Sequence, residues 1–102
     1  MSLGELQQLT MLAVARLRSE AYGAAIQDEL AEVADRQVSV PTVYVTLVRL
    51  EEQGLVRSRD EPPPEGRGGR ARRVFELTPV GWDALHEARA SADRMWCGVA
   101  QP

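Results

Sequence analysis

Arg67, Arg70, Arg72 and Arg73 fall within seven residues and are interleaved with Gly68 and Gly69. Guanidinium groups are planar forks of donors, and glycines let a loop tip bring several of them close together, so this segment suits phosphate. A second group lies upstream, where Ser39, Thr42, Thr46 and Arg49 place three hydroxyls and a guanidinium around Tyr44 and Val45. Hydroxyls can hydrogen-bond base edges, a small apolar side chain can meet a thymine methyl, and arginine reaches guanine or phosphate. The plain alternatives are a solvated run of charge for the first group and an ordinary surface helix with one stray valine for the second.

Other chemistry is poorly supplied. His86 and Cys97 are the single imidazole and the single thiol of the chain. A zinc site or an activated nucleophile needs several convergent groups, so no metal, no cofactor and no enzymatic activity are expected. Cys97 reads as a small, partly buried apolar residue near a helix seam, with redox sensing as the sharper alternative.

The groups that suit nucleic acid need elements to hold them. Ser2 with Glu5 has the spacing of a capping box, and Leu3, Leu6, Leu9, Met11, Leu12, Val14 and Leu17 follow, predicting a first helix over 3–17 that is apolar on two faces. One face would meet the domain core and the other a partner subunit. Tyr22, Ile26, Leu30 and Val33 mark an amphipathic second helix. Ser39 is a good N-cap with Pro41 in the first turn, Val43, Leu47 and Leu50 form the inner stripe of a third helix, and Gly54 can end it. Rotating 100° per residue from that stripe turns Thr42, Val45 and Arg49 outward, with Tyr44 and Thr46 on the flanks.

Leu55 to Arg59 and Arg72 to Leu77 read as two strands joined by a loop rich in proline and glycine. Thr78 and Pro79 cap a fourth helix whose seam, Leu85, Ala88, Ala92, Met95 and Val99, steps by three and four as in helix pairing. Leu6 and Leu9 of the first helix join that candidate dimer interface. Trp96 with Met95, Met11 and neighbouring first-helix residues forms a candidate inter-subunit pocket for a flat aromatic effector, the alternative being core packing.

At 102 residues the chain has room for one small core. It contains no stretch near the ~20 apolar residues of a membrane span, and the segment from Met1 to Leu6 lacks the pattern of an export signal, so no membrane partner and a cytoplasmic location are expected. The formal net charge of −3 argues against nucleic acid unless positive charge is concentrated. From Arg36 to Arg73 there are eight arginines against five carboxylates, so it is.

Three helices followed by a hairpin is the order of a winged helix-turn-helix, in which the third helix enters the major groove and the hairpin meets adjacent backbone. The expected fold is mainly α with a small β-hairpin: a winged helix-turn-helix over 1–77 with an added C-terminal dimerisation helix over 78–102. The rival is a winged-helix protein-interaction adaptor that uses the same basic surface to meet an acidic partner, without specific DNA binding.

The segments L-G-E-L-Q-Q-L at Leu3, A-Y-G-A-A-I at Ala21, V-Y-V-T-L-V-R-L-E-E-Q-G-L-V at Val43 and G-G-R-A-R-R-V-F-E-L-T-P-V-G at Gly68 resemble the PadR family of bacterial repressors over nearly the whole chain. The resemblance implies a homodimer joined through its first and last helices. It further implies repression from an inverted-repeat operator in double-stranded DNA until a small effector or a stress signal releases the protein. By position it assigns Ser39, Thr42, Tyr44, Thr46 and Arg49 to the recognition helix and Arg67, Gly68, Gly69, Arg70, Arg72 and Arg73 to the wing. Phe75 stands where the family often has tyrosine, and Trp82 where a basic residue is common. With one C-terminal helix, the chain resembles the short branch of the family.

Overall fold

Apolar residues at helical spacing end up inside, and Asp35 and Gly54, both in the left-handed conformation, end two of the helices close to where their buried stripes end. The computed structural model describes residues 3–62 and 71–102. Along the chain run α1 (Glu5–Leu17), a short 3₁₀ turn (Arg18–Glu20), α2 (Gly23–Ala34), α3 (Val40–Glu52), β1 (Val56–Glu61), β2 (Arg72–Leu77) and α4 (Pro79–Trp96). The expected class, mainly helical with one antiparallel hairpin and a further C-terminal helix, is the one observed.

α1 begins at Gly4, whose N–H donates to Gln7 Oε1 at 3.0 Å. The expected pairing of Ser2 with Glu5 is thus replaced by one two residues later, and Ser2 lies outside the described residues. Met11, Ala13 and Val14 face the core, Leu6 and Leu9 are half-buried against it, and Leu12 is left 44% exposed. One apolar side of α1 is therefore covered and another is open, as its composition requires. α2 contributes Ile26 and Leu30 to the core and ends at Asp35, whose left-handed φ of 55° lets Arg36 N–H reach Leu30 O. Val33, expected in the inner stripe, stands outside the core and is largely exposed.

The two strands pair from Val56 with Leu77 to Glu61 with Arg72, so the first strand runs two residues further than the sequence suggests. Only the base of this hairpin enters the core, through Val56, Val74, Phe75 and Leu77. Val74 and Phe75 are consecutive and point to opposite faces, yet both are buried. β2 also has a neighbour on its second edge: Phe75 N–H donates to Ala21 O at 2.8 Å, and Tyr22 lies opposite Val74.

α4 starts against the junction of α3 and β1. Thr78 is its N-cap, accepting from Gly81 N–H at 3.0 Å while its hydroxyl donates to Gly54 O at 2.6 Å, and Thr78 N–H donates to Leu55 O. Gly81 passes so close to that junction that a Cβ on it would lie 2.0 Å from Leu55 O. Beyond Leu85 the helix leaves the core, every residue from Ser91 onward is exposed, and the molecule extends 57 Å along its longest axis. Among the described residues no helix is long and apolar enough to cross a membrane.

The contact at Gly81 yields a direct test. Gly81→Ala forces the added methyl into a backbone carbonyl that cannot rotate away, and the expected loss of stability is on the order of 3 kcal/mol. Urea unfolding followed by tryptophan fluorescence measures it; a variant as stable as the parent would mean that α4 does not start in this position.

Candidate nucleic-acid interface

The orientation of α3 follows from its inner face and its two ends. At the start, Ser39 Oγ accepts from Thr42 N–H at 3.3 Å and shares a further hydrogen bond with Thr42 Oγ1 at 2.9 Å. At the end, Gly54 adopts a φ of 76°, its N–H donates to Glu51 O, and Leu55 N–H donates to Leu50 O. This closes the helix with two reversed hydrogen bonds and an apolar pair, Leu50 and Leu55, both buried. Between the ends, Val43, Thr46, Leu47 and Leu50 form the buried stripe.

Thr46 corrects the sequence reading. It is 8% exposed, and its hydroxyl donates back to Thr42 O at 2.9 Å, so it offers nothing to a ligand on the outer face. The physical reason is helical geometry: a residue three after Val43 and four before Leu50 lies on their side, and a threonine can satisfy its hydroxyl inside the helix while its methyl packs inward. The outer face carries Thr42, Val45, Val48 and Arg49, all exposed. Val45 is 50% exposed, an unusual position for an unsupported valine on a soluble helix. Among the described residues, Arg49 has no carboxylate partner.

Tyr44 occupies the flank between α3, the hairpin and the first turn of α2. Its ring meets Phe75 edge-on at 6.4 Å and lies directly over Gly23, where a Cβ would come within 2.6 Å of the ring. Gly23 and Tyr22 are contributors that the reading by residue type did not single out, although the stretch from Ala21 to Ile26 was noticed as a motif. A glycine opening a helix is the available signal.

The hairpin arginines are held by their own chain. Arg57 pairs with Glu76 at 2.7 Å and Arg59 with Glu61 at 2.9 Å. Arg72 turns back toward the start of α2, its guanidinium 4.5 Å above the Tyr22 ring and 3.9 Å from Glu20, so it does not project with the loop tip as expected. Arg73 lies over the Phe75 ring, donates from Nε to Ser58 Oγ at 2.9 Å and from Nη2 to Glu51 Oε1 at 3.1 Å, and Ser58 Oγ in turn donates to Glu51 Oε2 at 2.6 Å. Arg67, Gly68, Gly69 and Arg70 lie outside the described residues.

The candidate interface and effector residues separate into three places. Leu85 belongs to the chain's own core, with Leu6, Leu9 and Ala88 half-buried. Ala92, Met95, Trp96 and Val99 form an exposed apolar patch at the far end of α4, where the helix stops at Trp96, short of Val99. Met11 is fully buried while Met95 and Trp96 are exposed, so one chain alone does not bring the three onto a common surface; the pocket expected of them is one between subunits. An apolar groove of about 420 Å³ lies instead between α1 and α2, lined by Leu9, Leu12, Leu30, Val33 and Trp82. Trp82 stacks on His86 at 6.1 Å, and Cys97 is exposed. Among the described residues no three His, Cys, Asp or Glu side chains are grouped to hold a metal ion.

The contact of Gly23 with Tyr44 predicts a paired effect. Gly23→Ala should cost roughly 1 kcal/mol by displacing the ring, whereas in a Tyr44→Ala background the same change should be neutral or stabilising, because alanine is the better helix former. Denaturant unfolding of the four proteins of this cycle checks the coupling, which should vanish if the ring does not rest on Gly23.

Comparison with known proteins agrees with this architecture. The model of the PadR-like family of transcriptional regulators matches residues 11–87. Transcriptional regulator Rv3488 of Mycobacterium tuberculosis is 40% identical over 77 residues, covering 76% of this chain and 67% of that protein. A PadR-like transcription factor from Bacteroides fragilis superposes with a TM-score of 0.73 at 30% identity, over 88% of this chain and 82% of the other. A PadR family regulator from Eggerthella lenta gives 0.71 at 30% identity, over 92% and 81%. The chain belongs to the PadR-like family of transcriptional regulators.

Proposed function

We propose that this protein is a homodimeric repressor that reads an inverted-repeat site in double-stranded DNA and is released by a small molecule or a stress signal. The observation that carries the reading is the outer face of α3, where Thr42, half-exposed Val45 and Arg49, with no carboxylate partner among the described residues, stand together. Such a face can seat in a major groove, with Thr42 and Val45 against base edges and Arg49 on guanine or phosphate. Tyr44 and Ser39 border it and suit backbone contacts. In this reading 1–77 engages DNA and 78–102 joins the two copies.

Dimerisation is supported by apolar surface that one chain leaves open. Leu12, Val33 and Trp82 are 44%, 55% and 44% exposed around the groove, and Met95, Trp96 and Val99 are 77%, 72% and 62% exposed at the end of α4. Burying such residues stabilises association by about 25 cal/mol per Å² of apolar surface removed from water, before the cost of bringing two chains together. To read two half-sites one turn of duplex apart, a dimer joined through α4 must hold its two α3 helices about 34 Å apart. A small apolar effector entering between the copies would act on that spacing.

Binding to duplexes from upstream of the protein's own gene, followed by fluorescence anisotropy in excess competitor DNA, tests the proposal. Arg49→Ala is expected to reduce discrimination between operator and altered sites by about 1 to 3 kcal/mol. Equal affinity of the parent for every duplex would instead favour the adaptor reading. Trp96→Asp should shift the protein from dimer to monomer in sedimentation and weaken operator binding, because two half-sites would no longer be held by one particle. A Trp96→Asp variant that stays dimeric would exclude the end of α4 from the interface.

A further inference from the structure

Every described arginine of the hairpin is paired with a carboxylate of its own chain, and one of these pairs joins the hairpin to α3: Arg73 with Glu51. The arrangement is a closed ring of three side chains. Arg73 Nη2 donates to one carboxylate oxygen of Glu51, Ser58 Oγ donates to the other, and Arg73 Nε donates to Ser58 Oγ, at 3.1, 2.6 and 2.9 Å. Ser58 lies on β1, Arg73 on β2 and Glu51 in the last turn of α3, so the ring ties both strands to the helix. The Arg73 side chain is 50% exposed and that of Glu51 31%, which leaves the guanidinium accessible to solvent and to a competing anion.

We propose that Glu51 is a specificity-determining residue: its carboxylate holds Arg73 and so withdraws one phosphate-seeking charge per chain from sequence-independent binding to DNA. The inference rests on the DNA-reading role proposed above for α3. Phosphate and carboxylate compete for the same guanidinium fork, and an exposed pair of this kind is weak enough for the competition to be real. Contacts to phosphate carry no sequence information, and each one strengthens binding to every duplex alike. A regulator that must find one site among very many therefore gains discrimination when a cation beside its recognition helix is already neutralised. On the operator, freeing Arg73 brings a smaller net benefit, because the same change loosens the hairpin from α3 where contacts to bases require a fixed register.

The test is a double-mutant cycle of Glu51→Gln and Arg73→Gln in the full chain, with affinity for a random-sequence duplex and for the operator measured across a salt series. Glu51→Gln should raise affinity for random duplex roughly fivefold, steepen its dependence on salt by about 0.9 in log–log slope per chain, and lower the ratio of operator to random binding. Arg73→Gln alone should leave random binding close to the parent, and the double variant should lose the gain of Glu51→Gln. Glu52→Gln removes an exposed carboxylate of the same turn and should produce much less. Thermal unfolding of each variant confirms that folded proteins are compared. The inference is overturned if Glu51→Gln leaves the salt slope unchanged, if Arg73→Gln does not cancel its effect, or if Glu52→Gln reproduces it. A parent protein that binds operator no better than random duplex would defeat the DNA-reading role itself, and this inference with it; a parent that discriminates while Glu51→Gln behaves identically defeats the inference alone.

Discussion

Leu55 uses both of its backbone groups to join elements. Its N–H closes α3 by donating to Leu50 O, and its carbonyl accepts from Thr78 N–H at the threshold of α4, with Gly81 packed against the same oxygen. Its side chain is buried beside Leu50, and β1 begins at the next residue. α3, the hairpin and α4 thus diverge from one residue whose donor and acceptor are both satisfied. A buried backbone group left unpaired costs roughly 1 to 3 kcal/mol, so the junction resists rearrangement and the three elements keep their mutual directions.

From this junction the division of labour follows. The base of the hairpin sends apolar residues into the core, while its outer half is charged, with Arg59 paired to Glu61 inside the hairpin and Arg72 and Arg73 paired to Glu20 and Glu51 outside it. The inner stripe of α3 sets the rotation of the helix, which decides that Thr42, Val45 and Arg49 face outward. α4 contributes little to the core beyond Leu85 and carries most of its apolar residues into solvent. This exposed apolar surface is what the proposed dimer would cover.

Much of this was legible in the sequence where the governing physics is local. Ser39 and Thr78 as caps, Pro41 and Pro79 in first turns and Gly54 as a left-handed stop depend on backbone donors within a few residues, and the structure places each in that role. What escaped depended on packing, within a helix for Thr46 and between distant parts of the chain for the rest. Thr46 looked like a surface hydroxyl because its type is polar, while its angular position between Val43 and Leu50 sends it inward. Met11 read with Met95 and Trp96 as part of a pocket between subunits, and packing shows it enclosed within its own chain. Arg72 and Arg73 read as free charge because their partners, Glu20 and Glu51, are 52 and 22 residues away in sequence. Arg72 and Arg73 were therefore legible as part of an arginine-rich composition, but not as members of ion pairs.

The way α4 is mounted has a mechanical consequence. It is clamped at Thr78 and Gly81 and unsupported from Ser91, so its 18 residues form a rod about 27 Å long that is fixed at one end. A tilt of about 5° at the clamp moves the free end by roughly 2 Å, and the relation runs equally in reverse. In the proposed dimer, a change in how the free ends of two such rods meet would be converted into an altered separation of the bodies at their roots, without either body having to deform.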